Sequence, residues 1–284
     1  MSLNIKDQRI ISKLGSGTFG DVYLSKIKVN NAYVMAAAKV EKKDISNPRL
    51  DIENKVYEKL QNVSCVPKIY KYEVTDDFRV LFMELLGSCL DTIIDKIDMA
   101  SLLTIAIDGI TILKNVHNAN IIHRDIKPNN FLFNKECTKL MIIDFGLSKK
   151  YIIEGEHMPF RKGRSLIGTA RYASINMHFG IEPSRRDDLE SFGYMLVYLY
   201  KKKLPWQGIK PVKGKDQISM IGDVKITTSL SSLCKDMPIC FMKHIEYCRE
   251  LKFDSEPDYG HLINLFETTI KSQKLQKGFV SIKN

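Results

Sequence analysis

The chain has 284 residues, 44% hydrophobic and 27% charged, a globular balance that sets aside disordered, collagen-like and membrane-spanning classes. Its formal charge of +10 fits an acidic partner, whether nucleic acid, anionic lipid or acidic peptide, or a solvated basic surface with no specific role, without choosing among them. No apolar run reaches the ~18 residues of a bilayer span and the N-terminus lacks a signal-like apolar stretch, so an intracellular protein is expected.

Residues 9–38 alternate apolar and polar positions around glycine punctuation, as hairpin strands do. Among them lies Leu14-Gly15-Ser16-Gly17-Thr18-Phe19-Gly20-Asp21-Val22. The G-x-G-x-x-G spacing suits a dinucleotide fold as well as a hairpin that covers phosphates. Here Asp21-Val22-Tyr23-Leu24 continues as strand instead of opening a helix, so the hairpin is expected.

The next strand, residues 33–41, carries Lys39 after three alanines. A charge in an apolar strand is costly without a partner, and the phosphates of a nucleotide and a helix carboxylate are expected to provide one. Helical spacing over residues 49–61 puts Ile52, Val56 and Leu60 on the packed face, with Glu53 flanking it as the expected partner of Lys39.

Strands at Ile69–Val74 and 79–84 lead through Phe82-Met83-Glu84-Leu85-Leu86-Gly87 to a break at Gly87-Ser88, the expected border between a strand-rich and a helix-rich half. Helical periodicity follows over 90–97 and 101–117. Next come His123-Arg124-Asp125-Ile126-Lys127-Pro128-Asn129-Asn130 and Met141-Ile142-Ile143-Asp144-Phe145-Gly146. They combine a base candidate (Asp125), a cation (Lys127) and two oxygen ligands for a metal (Asn130 and Asp144), the equipment for moving a phosphoryl group. Glycine hairpin, strand lysine, helix glutamate, His-Arg-Asp loop and Asp-Phe-Gly stand in the order of the protein-kinase pattern, and a lysine two residues past the aspartate is the Ser/Thr form.

Residues 147–169 are aperiodic and basic, with Lys149, Lys150, Arg161, Lys162 and Arg164, as functional loops often are. A helix over 189–200 is expected to be the pillar of the second half, with Asp188 at its start capping amides of the catalytic loop. Further helices are expected over 216–222, 230–234, 239–251 and 261–271, then a loose tail over 274–284. The six cysteines are dispersed and fit reduced thiols. Cys240, His244 and Cys248 share one helix face at i, i+4, i+8, but with no fourth ligand evident they read as core residues, not a metal site.

With these motifs in place the sequence resembles the casein kinase 1 family over residues 9–266. The marks are Ser174-Ile175-Asn176 where most protein kinases carry Ala-Pro-Glu, the runs 168–176 and 184–193, Leu204-Pro205-Trp206-Gln207-Gly208, and Phe253-Asp254 with Pro257-Asp258-Tyr259. The resemblance implies an α+β bilobal kinase fold: a domain over 9–276, with a β-rich N-lobe of about 9–85 and a helical C-lobe of about 86–276, then a short basic tail, 277–284. It implies a monomeric Ser/Thr kinase of nucleus or cytoplasm, working in DNA repair, trafficking or signalling, that uses ATP and Mg²⁺ and needs no loop phosphorylation. Its substrates would be acidic or already phosphorylated proteins.

By the same resemblance, Asp125 acts on the substrate hydroxyl, Lys127 offsets charge on the γ-phosphoryl, and Asn130 and Asp144 hold the metal. ATP would be bound by Leu14, Gly15, Ser16, Gly17, Thr18, Phe19, Gly20, Asp21, Val22, Lys39, Glu53, Met83, Glu84 and Leu86. Arg171 matches the family's anion-binding arginine. The second anion-binding position falls on Gln217, with Lys213 just before it and Lys215 as the candidate replacement. A pseudokinase scaffold is the alternative, disfavoured because no catalytic group is missing, and no motif for reading nucleic acid is present.

Overall fold

The computed structural model describes residues 8–17, 20–210, 212, 214, 216–279 and 282. Thr18 and Phe19 of the glycine hairpin, and Lys213 and Lys215, lie outside the described residues. The chain divides into two units.

The strand-rich unit comprises the described residues up to Ser88 together with Leu132–Ser148. Its sheet holds β1 (Gln8–Gly17), β2 (Gly20–Val29), β3 (Ala32–Lys42), β4 (Ile69–Val74) and β5 (Phe78–Glu84) in the antiparallel order β1-β2-β3-β5-β4. Side chains alternate across a strand, so Ala36, Ala38, Val40, Val80 and Phe82 join Ile27 in one buried cluster on one face. The register sets Val22 opposite Lys39 and Ala37 opposite Met83.

One helix, α1 (Leu50–Leu60), packs on this sheet. It buries Leu50, Glu53, Tyr57 and Leu60, while Ile52 and Val56 are only half-buried. The packed face is therefore turned from the one its apolar spacing predicts, and Glu53 stands on that face instead of beside it. A carboxylate can hold a core position here because an ammonium meets it there. A short hairpin, Phe131–Phe133 with Leu140–Ile142, is tied to the α1–β4 loop by Ile142 N donating to Cys65 O at 2.9 Å.

The helical unit comprises Cys89–Phe131 and the described residues from Lys149 onward. It contains α2 (Met99–Asn118), α3 (Ile175–His178), α4 (Arg185–Lys201), α5 (Gln217–Thr227), α6 (Leu230–Leu233), α7 (Ile239–Glu250) and α8 (Tyr259–Ser272). α2 packs on α4 and α8, and α4 on α7.

Four further expectations need correction. Residues 90–97 form only one 3₁₀ turn, Ile94–Lys96. The amide of Leu90 is drawn to Phe131 O at 2.9 Å, and the run Thr92-Ile93-Ile94 is β-branched, which disfavours a longer helix. α4 begins at Arg185, four residues before its expected start, because Asp187 folds back to accept from Ser184 N at 2.8 Å and closes the helix end. α2 does have the length and composition to cross a bilayer, although most of it is buried inside its unit. The tail is docked at its described positions: Gly278 N donates to Thr104 Oγ1 at 3.0 Å, and Phe279 and Ile282 are buried.

Candidate active site

In the strand-rich unit three residues far apart in sequence converge. Lys39 Nζ lies 2.6 Å from Glu53 Oε2 and 2.8 Å from Asp144 Oδ1. The register of β3 aims Lys39 at α1, and Glu53 is 1% exposed. Burial disfavours the charge on Lys39, but Glu53 and Asp144 overcome this and lift its pKa above the ordinary lysine value. Burial also pushes Glu53 up, and Lys39 holds it back. The resulting ammonium is a positive charge held in place by two carboxylates.

Asp144 adopts a left-handed conformation, φ 69° and ψ 68°. Such a backbone persists only where its surroundings impose it. Phe145, fully buried, stands edge-on to Tyr57 of α1 with ring centroids 5.2 Å apart, and its carbonyl accepts from both the amide and the hydroxyl of Ser148. The packing of the phenylalanine thus holds the aspartate before it.

The glycine hairpin closes with Gly17 opposite Gly20. Gly20 has φ +144°, and a Cβ there would come within 2.2 Å of Val40 O, so no other residue fits. Leu14 is half-exposed, and Asp21 pairs with Lys13 at 2.8 Å. Met83 is buried at the end of β5. The Glu84 amide is committed to Lys68 O at 2.8 Å, while Leu86 is half-buried in the segment that follows.

In the helical unit Asp125 is buried and both its oxygens are engaged. Oδ1 accepts from Thr169, through the amide at 2.9 Å and Oγ1 at 2.8 Å, and Oδ2 accepts from Lys127 Nζ at 2.6 Å. Asn130 donates its side-chain nitrogen to Asp125 O at 2.8 Å, which leaves the amide oxygen as its ligand-type atom. Asp188 caps the loop from α4, accepting from His123 N at 2.7 Å and Arg124 N at 2.8 Å, with His117 Nε2 at 3.0 Å. Burial would raise its pKa, but His117 and His123 together outweigh burial and hold it below the ordinary value. Gly168 has φ +81°, and a Cβ there would stand 2.4 Å from Arg124 O, so glycine lets Thr169 reach Asp125.

Arg171 lies in the same loop. Its guanidinium is 5.8 Å from the Tyr172 ring centroid and 5.7 Å from that of Tyr198, and its carbonyl accepts from Trp206 Nε1 at 2.7 Å. Lys225 of α5, fully buried, donates to Ala170 O at 2.8 Å and to Ala173 O, and lies 5.1 Å from the ring centroids of Tyr194 and Trp206. Burial pulls its pKa down to about 7. Gln217 Nε2 donates to Ile209 O at 3.1 Å.

A cavity of about 300 Å³ is lined by Arg124, Lys149, Arg164 and Glu182. Glu182 accepts from Lys149 Nζ at 2.7 Å and Arg164 Nε at 3.0 Å, with Arg124 Nη1 at 4.0 Å. Burial alone would raise this carboxyl, but Lys149, Arg164 and Arg124 outweigh it and hold it below the ordinary value. At α7, His244 Nε2 lies 2.9 Å from Leu189 O, and burial takes its pKa down to about 4, which fits a core histidine.

Sequence reading missed Thr169, Glu182 and Lys225. Thr169 lies within the run 168–176, where no local pattern marks its contact with Asp125. Lys225, in a helix of mixed character, gave no local signal of its buried carbonyl partners. A family model for the protein kinase domain matches residues 9–253 of the chain.

Proposed function

The chain belongs to the protein kinase family, and on that premise we propose that it is a Ser/Thr kinase of the casein kinase 1 type. It would transfer the γ-phosphoryl group of ATP to acidic or already phosphorylated protein substrates. The observation that carries this reading is the Asp125 carboxylate held between Thr169 and Lys127. A base whose side chain is locked on both oxygens is oriented before substrate arrives, and positioning of this kind supplies much of the acceleration in phosphoryl transfer.

In this reading Lys39, oriented by Glu53, binds the α- and β-phosphates, and the glycine hairpin covers them. Asp125 orients the substrate hydroxyl and takes its proton, and Lys127 offsets charge on the γ-phosphoryl oxygens. A carboxylate from Asp144 and an amide oxygen from Asn130 are hard donors that suit Mg²⁺. Mg²⁺ would neutralise phosphate charge.

Support for the casein kinase 1 type comes from what replaces Ala-Pro-Glu. Ser174 Oγ donates to Asp187 Oδ1 at 2.6 Å, Asn176 Nδ2 to the same oxygen at 3.4 Å, and the Ile175 amide to Glu190 Oε1 at 3.2 Å. The Ser-Ile-Asn run thus has its own anchors on α4. Incubating the protein with ATP, Mg²⁺ and an arrayed peptide library tests the proposal. Transfer to Ser and Thr near acidic or phosphorylated residues is expected, and transfer to Tyr alone, or none at all, contradicts it.

A further inference from the structure

The helix that carries Glu53 starts without a cap of its own. The first amides of a helix lack intrahelical partners. Arg49, in the capping position of α1, has φ −92° and ψ −28° and makes no side-chain cap bond, and a guanidinium has no acceptor to offer. The acceptor comes instead from β3. Glu41, 2% exposed, receives the Arg49 amide at 2.8 Å and the Leu50 amide at 3.3 Å on Oε1.

Residues two apart on a strand share a face, so Lys39 and Glu41 both reach α1 from β3. Glu41 takes the amide of Arg49 and Lys39 takes the carboxylate of Glu53, and Glu53 N closes that turn by donating to Arg49 O at 2.9 Å. The strand therefore holds the two ends of one helical turn. One bond between long side chains sets a distance, whereas two bonds a turn apart also set the rotation of the helix about its axis. Asp51 adds a third tie, accepting from Arg79 Nε of β5 at 3.0 Å and from Tyr72 Oη of β4.

We infer that Glu41 is a positioning residue, which holds Glu53 in register with Lys39 from the strand that carries Lys39. The carboxylate also complements the positive end of the helix dipole. The ties from β3, β4 and β5 thus set the face of the helix that carries Glu53. The functional consequence rests on the phosphotransferase reading above, while the grip on the helix does not.

The test uses the full chain with Glu41→Ala and Glu41→Gln, each alone and combined with Glu53→Gln. Hydrogen exchange over residues 49–60, binding of Mg·ATP, and kcat/KM for ATP are measured. Glu41→Ala is expected to speed exchange in the first turn of the helix and to lower kcat/KM by about tenfold when Glu53 is present. In the Glu53→Gln chain the same change should cost less than about twofold, since no ion-pair register remains to be held. Glu41→Gln, whose amide oxygen still accepts one N–H, should recover much of the loss. Equal losses in both backgrounds, or unchanged exchange in the helix, would overturn the inference. If Glu41→Ala does not fold, Glu41→Gln keeps the side-chain volume and carries the same cycle with a smaller expected loss. Wild-type protein that transfers no phosphoryl group would contradict the kinase reading alone, and exchange would still decide whether Glu41 holds the helix.

Discussion

Lys39 Nζ stands 2.6 Å from Glu53 Oε2 in an environment where the carboxylate is almost wholly removed from water. Breaking a buried pair leaves its remaining member uncompensated, which costs more than the pair contributes when intact. The consequence depends on pH. In Lys39→Met the Glu53 carboxyl keeps the burial that raises its pKa and loses the ammonium that holds it down. A carboxyl whose folded pKa is raised stabilises the fold fully below its unfolded pKa and loses that contribution as pH rises through the folded value. The wild-type Lys39, raised above an already high value, contributes equally across the neutral and mildly acidic range. Thermal unfolding of both proteins should therefore show a small Tm gap near about pH 5 that widens toward about pH 8. ATP-dependent activity of the variant should be lost throughout, and a gap independent of pH would contradict the account.

Glu182 gives the basic loop an acidic partner from within the chain. It meets Lys149 and Arg164, with Arg124, the neighbour of Asp125, at 4.0 Å. A carboxylate in this place can balance the charges that an added phosphate would otherwise balance. Bacterially made protein treated with phosphatase is expected to be active, and Glu182→Gln should lower kcat by about tenfold. Because its folded pKa is depressed, the stability Glu182 contributes is present above its unfolded value and lost as pH falls through the folded one. A strict need for an upstream kinase would refute this part of the account.

The features read correctly from sequence are those with a local physical demand. A lysine among alanines on a strand needs a counter-charge, which pointed to Glu53, and an aspartate at the start of a buried helix needs amides, which pointed from Asp188 to the catalytic loop. Asp144 as the second partner of Lys39, 105 residues away, follows from tertiary closure and leaves no period in the sequence. The same holds for Thr169 on Asp125 and Glu41 on the start of α1. Residues 90–97 misled in the opposite sense, because their spacing was helical while a backbone bond to Phe131 and β-branched side chains prevented the helix.

Substrate choice should follow the charges around Arg171. Its guanidinium lies near two tyrosine rings, with Tyr172 also a side-chain hydrogen-bond partner, and its backbone is pinned by Trp206, so the proposed anion contact would come from a positioned group. Gln217, where the resemblance puts a second anion contact, is neutral and donates to Ile209 O. One charge fewer should weaken binding of a dianionic phosphate more than that of a run of carboxylates. Values of kcat/KM for matched peptides are therefore expected to rank primed and acidic above neutral, with primed only modestly above acidic, and Arg171→Ala should flatten the ranking. Equal values for all three peptides would contradict it.

In the proposed reaction Asp125 accepts the proton of a Ser or Thr hydroxyl during transfer from ATP. Asn in its place keeps the size and one oxygen, so Thr169 still finds an acceptor, but the charge that meets Lys127 and receives the proton is gone. The direct measurement is the single-turnover rate of γ-phosphoryl transfer from Mg·ATP to an acidic Ser peptide, for wild type and Asp125→Asn, with ATP affinity and Tm measured on the same preparations. The rate is expected to be about 10³-fold lower in the variant, with ATP affinity and Tm nearly unchanged. A variant that transfers at the wild-type rate would contradict it.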